Sequence, residues 1–172
     1  QVASIEDPAA REAEMARILR ERGGQAAQAM FQGPHGPYHV AYTRLKPAVV
    51  KIVRDFIVRE RPWRGTAEEK QAKFERVIKK LARHYEVRPP TLHISDPEHA
   101  MGSGYYDGSR NHIELPHYSV VTLLHEFKHA MQHLTQQPND EEVARGWSLS
   151  VFYKAAPKHF KRAVERAIIF FI

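Results

Sequence analysis

His125-Glu126-Phe127-Lys128-His129 places two imidazoles four residues apart with a carboxylate beside the first. On a helix, that spacing sets the two Cβ atoms about 5–6 Å apart on one face. Metal–nitrogen bonds of about 2.0–2.1 Å then let both rings converge on one zinc ion. Glu126 flanks such a site rather than entering it, which is where a general base stands. The neighbouring residues predict the helix itself. Ser119 can cap it, and Val120, Leu123, Phe127, Ala130, Met131 and Leu134 recur with helical period. At about 100° per residue, this apolar stripe and the direction of His125 and His129 lie on nearly opposite faces. The two histidines are therefore expected to look out of the core, into a cleft or into water.

A catalytic zinc site uses three protein ligands and keeps one position open for water. Cysteine is absent, and Thr135 stands ten residues beyond His125, where a longer histidine motif would supply a third imidazole. The candidates are Glu141 and Glu142, after the turn Gln136-Gln137-Pro138-Asn139. Asn139 or Asp140 starts a second helix, with Val143, Ala144, Trp147 and Val151 as its expected buried stripe. On the same angular count Glu142 points away from that stripe, while Glu141 sits on its shoulder, within reach of a neighbouring helix. The pattern favours Glu141 and leaves Glu142 as the other candidate.

Together these residues resemble the gluzincin metallopeptidases, which join His-Glu-x-x-His to a glutamate on a following helix, often as Glu-x-x-Ala. Glu141-Glu142-Val143-Ala144 matches that form. The short spacing and small chain look most like the minigluzincins, and His125 to Gln132 is similar to their active-site helix. Glu141 to Ser148, as Glu-x-x-Ala-x-x-Trp-Ser, is also similar to the glutamate helix of ImmA/IrrE-type peptidases. The resemblance covers roughly residues 70–156. It implies a zinc metalloendopeptidase, with His125, His129 and Glu141 as ligands and Glu126 as the base that takes a proton from the attacking water. The sequence departs from many larger gluzincins at Arg145, where an aspartate often orients a zinc-bound histidine.

The implied fold class is α+β and zincin-like: a small antiparallel or mixed sheet, an active-site helix and a glutamate helix, preceded by N-terminal helices. Thr91 to Ser95 reads as a short strand after Pro89-Pro90. Gly102 to Tyr106, a turn at Asp107-Gly108, and Asn111 to Leu115 read as a hairpin. Asn111 to Leu115 is expected as the edge along the substrate cleft, able to take an extended peptide as a further strand. His112, His117, His133, Tyr105, Tyr106 and Tyr153 are candidates for touching substrate or stabilising an oxyanion.

Upstream, Asp7-Pro8 starts a helix running to Gly23-Gly24, with Met15, Ile18 and Leu19 inward, and residues 23–43 read as a loop or arm. Pro47 opens a helix with Val49, Val50, Val53, Phe56 and Ile57 on one face, stopped by Pro62. Thr66-Ala67-Glu68-Glu69 is a capping box for another, with Phe74, Val77, Ile78, Leu81 and Tyr85 as its stripe. The division expected is a helical extension over 1–65 and a peptidase domain over 66–172, packed as one compact unit. Pro157 opens a last helix with Phe160, Val164, Ile168 and Phe171 on one face. The apolar end Ile168–Ile172 is expected to finish the core, with dimerisation or occupation of the cleft as alternatives.

The partners expected are a peptide or protein substrate and Zn2+. The net charge is +6, and residues 44–88 carry 14 Lys and Arg against 6 Asp and Glu. Interleaved glutamates and the lack of a binding motif favour a solvated surface there over a nucleic-acid face. The alternative to a working peptidase is a regulatory or latent zinc-binding protein with little turnover, engaging DNA or a protein through these basic helices. No signal peptide and no membrane-length apolar run are visible, so a cytoplasmic location is expected, with a leader removed before Gln1 as the other case.

Overall fold

The computed structural model describes residues 45–95 and 104–165. The expected helix from Asp7 to Gly24, the loop over 23–43, the Gly102-Ser103 start of the hairpin, the Val164 side chain and the tail Ile168–Ile172 lie outside the described residues.

Pro47 opens helix α1 (Pro47–Arg54), because its fixed φ suits the first turn and its missing N–H would have no helical partner there. Val49, Val50 and Val53 turn inward. The chain continues as a π-helical segment, Asp55–Glu60, which adds Phe56 and Ile57 to the core. This segment ends at Arg61 (φ 50°), directly before Pro62, whose ring disfavours right-handed helical backbone in the residue preceding it. The Thr66 hydroxyl accepts the Glu69 N–H at 3.2 Å and caps α2 (Ala67–His84). Phe74, Val77, Ile78 and Leu81 are buried along α2, and Tyr85 packs half-buried beyond its end.

Three short strands follow: β1 (Thr91–Ile94), β2 (Tyr105–Asp107) and β3 (His112–Leu115). Their order is β1-β3-β2, with β1 parallel and β2 antiparallel to β3, so the sheet is mixed. The register pairs Leu92 with Ile113 and Ile94 with Leu115. Those four side chains alternate inward. The expectation that Asn111 to Leu115 forms the exposed edge is corrected here. Strand β3 is central, with β1 on one side and β2 on the other, so among the described residues β1 and β2 are the outer strands.

Ser119 caps α3 (Val120–Leu134), its hydroxyl accepting the Thr122 N–H at 3.2 Å. Asp140 caps α4 (Glu141–Ala155), its carboxylate accepting the Val143 N–H at 3.1 Å. Helix α5 (Pro157–Glu165) sets Phe160 against Phe152 and Tyr153. Two sequence expectations change at this point. Val143 is 44% exposed rather than buried, leaving Ala144, Trp147, Val151 and Phe152 among the packing residues of α4. Helix α3, expected to bury one stripe, is covered on nearly every side by α4, β2 and β3, so Thr122, His125, Glu126, His129 and Gln132 are buried as well. One hydrophobic core runs from α1 through α5. Arg54 fastens α1 to the end of α4, donating to the carbonyls of Ala155 (3.3 Å) and Lys154 (3.4 Å). The described residues thus form five helices around a small mixed sheet, an α+β arrangement, and none of those helices is long and apolar enough to cross a membrane.

Phe74 is fully buried and meets Phe56 edge-on at 5.2 Å. Phe74→Ala should cost about 3–5 kcal/mol of stability in urea unfolding. Val143→Thr should stay within about 0.5 kcal/mol of the parent, and a larger loss would contradict the exposed placement of that side chain.

Candidate metal centre

Helix α3 carries His125 and His129 one turn apart, and α4 delivers Glu141 in its first turn, where a negative charge also suits the helix dipole. The three side chains converge. Nε2 of His125 lies 3.1 Å from Nε2 of His129 and 3.1 Å from Oε2 of Glu141, and Nε2 of His129 lies 3.0 Å from Oε1 of Glu141. Ligands held at about 2.0–2.1 Å in tetrahedral geometry stand about 3.3 Å from one another, so this triangle has the size an ion requires. Two imidazoles and a carboxylate suit zinc and other first-row divalent metals alike. The chemistry and spacing of these residues fit a metal ion.

Burial is uneven across the triangle. His125 is 3% and His129 9% exposed, whereas the Glu141 side chain is 62% exposed. The histidines were expected to face a cleft or water; His129 does line a cleft, although both rings are buried and Glu141 is the exposed member of the triangle. Burial, reinforced by the neighbouring His129 ring, lowers the pKa of His125 despite the opposing pull of Glu141. That keeps a neutral ring with a lone pair for a metal. Glu142, the other candidate ligand, turns away and takes Arg145 at 3.0 Å. Arg145, where an aspartate would orient a histidine, is engaged by Glu142 instead, and among the described residues Nδ1 of His125 is buried with no hydrogen-bond partner.

Glu126 and His129 share with Glu141 a cavity of about 380 Å³. Burial raises the Glu126 carboxyl to a pKa of about 7; His129 opposes the shift and the Glu141 charge adds to it. A carboxyl titrating there is matched to taking and returning protons near neutrality. The opposite wall comes from β2 and its turn, through Gly104, Tyr105, Tyr106 and Gly108. Gly104 has to be small, since a Cβ would stand 2.8 Å from the Thr122 methyl and 3.0 Å from the Glu114 carbonyl oxygen. His133 lies over Gly108 and meets the edge of the Tyr106 ring at 5.8 Å.

Of the other candidates, Tyr105, Tyr106 and His133 line this cavity, but the Tyr106 hydroxyl donates to Oδ1 of Asn111 at 2.8 Å. His112, His117 and Tyr153 are not among the lining residues. His112 instead bonds Thr91 (2.7 Å) and Glu114 (3.0 Å) on the sheet, in a network that includes His93 and Ser95. Burial would raise the Glu114 pKa, but the bonds from His93, His112 and Ser95 outweigh it and lower it. Gln137 and Asn139 also line the cavity, where the sequence reading placed them only in the turn and at the start of the second helix. It also passed over the role of Gln132, which is buried beside His129 and bonds it at 3.0 Å; a polar residue three positions after a candidate ligand was the available signal. In the basic stretch, Asp55 takes Lys51 and Arg59, and Glu60 takes Arg76 and Lys80, so part of that charge is paired on the surface.

Comparison with protein-family models, curated proteins and solved structures finds no match to this chain. The centre consequently rests on its own geometry.

Glu141→Ala should weaken zinc binding by more than the about 10–100-fold typical of losing an outer partner, while Glu142→Ala leaves it unchanged, as measured by chelator competition. Equal loss in both variants would reject Glu141 as the ligand. A second prediction concerns the metal-free protein. The folded pKa of Glu126, about 7, lies above its ordinary value of 4.5, so the folded state binds the proton more tightly. Stability therefore falls as pH rises from about 4.5 to about 7, then levels. Glu126→Gln removes that loss and should gain on the parent by about 1–3 kcal/mol between pH 5 and pH 8 in urea unfolding with chelator present. A constant difference at the two pH values would contradict the buried carboxyl.

Proposed function

We propose that the protein is a zinc-dependent endopeptidase of the gluzincin type, with a zincin-like arrangement of α3, α4 and the sheet. The observation that carries this reading is the His125–His129–Glu141 triangle opening onto the same cavity as a carboxyl of raised pKa. His125, His129 and Glu141 would hold the ion, which when bound would supply Lewis acidity toward water and the scissile carbonyl. Glu126 accepts a proton from the attacking water and returns it to the departing amine. Tyr105 and His133 stand in the cavity as donors for the developing oxyanion.

A peptide is favoured as substrate because β2, one of the two outer strands among the described residues, forms one wall of the cleft. An extended chain laid beside it would gain main-chain hydrogen bonds while crossing the metal centre. One observation favours a second reading, metal binding with little turnover. Among the described residues Nδ1 of His125 has no partner, so that ring lacks there the hydrogen bond that normally fixes a ligating imidazole.

Glu126→Gln separates the two. It should retain zinc and lose peptide hydrolysis by about 10²–10⁴-fold in a fluorogenic peptide-library assay. Retained zinc with unchanged hydrolysis would reject Glu126 as the base. A zinc-loaded parent that cleaves no member of the library would favour the second reading.

A further inference from the structure

The geometry points to Gln132 as a positioning residue that selects the metal-binding tautomer of His129 and ties that ring to the start of the glutamate helix. The inference rests on the metal-site reading above. Gln132 is 4% exposed, three residues after His129 on α3. Its amide is clamped by the backbone of one residue: Nε2 donates to the Asp140 carbonyl at 3.1 Å, and Oε1 accepts the Asp140 N–H at 3.3 Å. A backbone N–H cannot accept and a carbonyl cannot donate, so a flipped amide would lose both bonds. The atom 3.0 Å from Nδ1 of His129 is therefore the amide oxygen. Oxygen only accepts here, which places the ring proton on Nδ1.

A neutral imidazole protonated at Nδ1 has a bare Nε2. That nitrogen is the one left for a metal, and it stands inside the triangle, 3.0 Å from the Glu141 carboxylate. The two histidines are thus supported unequally, since Nδ1 of His125 has no partner among the described residues. Gln132 also holds both backbone polar groups of Asp140, whose side chain caps α4 and which immediately precedes Glu141. A single amide thereby fixes the proton position on one ligand and the origin of the helix that carries another.

Gln132→Met keeps the length of the side chain and removes all three bonds. Gln132→Glu keeps an acceptor for Nδ1–H and for the Asp140 N–H but loses the donor to the Asp140 carbonyl. Two measurements on the full chain separate positioning from packing: nitrogen chemical shifts of the imidazoles in metal-free protein, and Zn2+ affinity by chelator competition. In the parent, His129 should show the Nδ1–H form. Gln132→Met should move it toward Nε2–H and weaken Zn2+ binding by about 10–100-fold. Gln132→Glu should retain Nδ1–H and an affinity within a few-fold of the parent or above it, although its metal-free melting temperature falls as it does for Gln132→Met. Parent-like tautomer and affinity in Gln132→Met would overturn the inference, as would equal loss of affinity in the two variants. A parent that shows Nδ1–H but binds no Zn2+ would instead remove the metal-site reading and leave the tautomer assignment standing.

Discussion

Phe127 of α3 and Trp147 of α4 lie ring to ring at 6.3 Å, and around them Leu123, Ala130, Met131, Ala144 and Val151 are buried. Apolar packing of this kind leaves little freedom to slide, because side chains in a core interlock at near-crystalline density. The polar triangle is held in register by that dry contact. If α4 shifted along α3 by a residue, about 1.5 Å, Glu141 would no longer meet both imidazoles at hydrogen-bonding distance. The turn 135–140 joins the two helices, and the Asp140 cap fixes where the second begins.

The sheet completes the enclosure. Helix α3 presents polar groups on a face that has to be covered, and a strand can approach it closely only where a side chain is missing, as at Gly104. The cleft is what remains between β2 and the interhelical turn. Its floor is buried enough to raise the pKa of Glu126, while Glu141 stays in contact with water. Charge-bearing groups that need desolvation and one that needs access are thus sorted by depth.

Much of this was legible in the residues. Ser119, Thr66 and Asp140 act as caps because a short polar side chain before an apolar repeat satisfies free N–H groups. The stripes of α1 and α2 face inward as their period dictates. Glu141 rather than Glu142 reaches the histidines, as its place on the shoulder of the helix implied. What the residues did not disclose is tertiary. Periodicity reports the apolar face of α3 but not that its polar residues Thr122, His125, Glu126, His129 and Gln132 would be buried as well. Strand order is equally silent in a four-residue segment such as His112–Leu115, where nothing local says whether one side or both will be paired. Val143 follows the helical period but sits in the first turn of α4, beyond the reach of the packing that buries Ala144 and Trp147.

His125 and Glu141 are only sixteen positions apart, and all three converging side chains belong to one helix–turn–helix. Closing so short a stretch of chain carries a small entropic cost compared with joining distant segments. The centre is therefore a local feature of the chain, all of its converging side chains lying between His125 and Glu141. Evolution could lengthen or replace the upstream helices with little effect on the spacing of the ligands, whereas a single residue added to the turn between α3 and α4 would reset it.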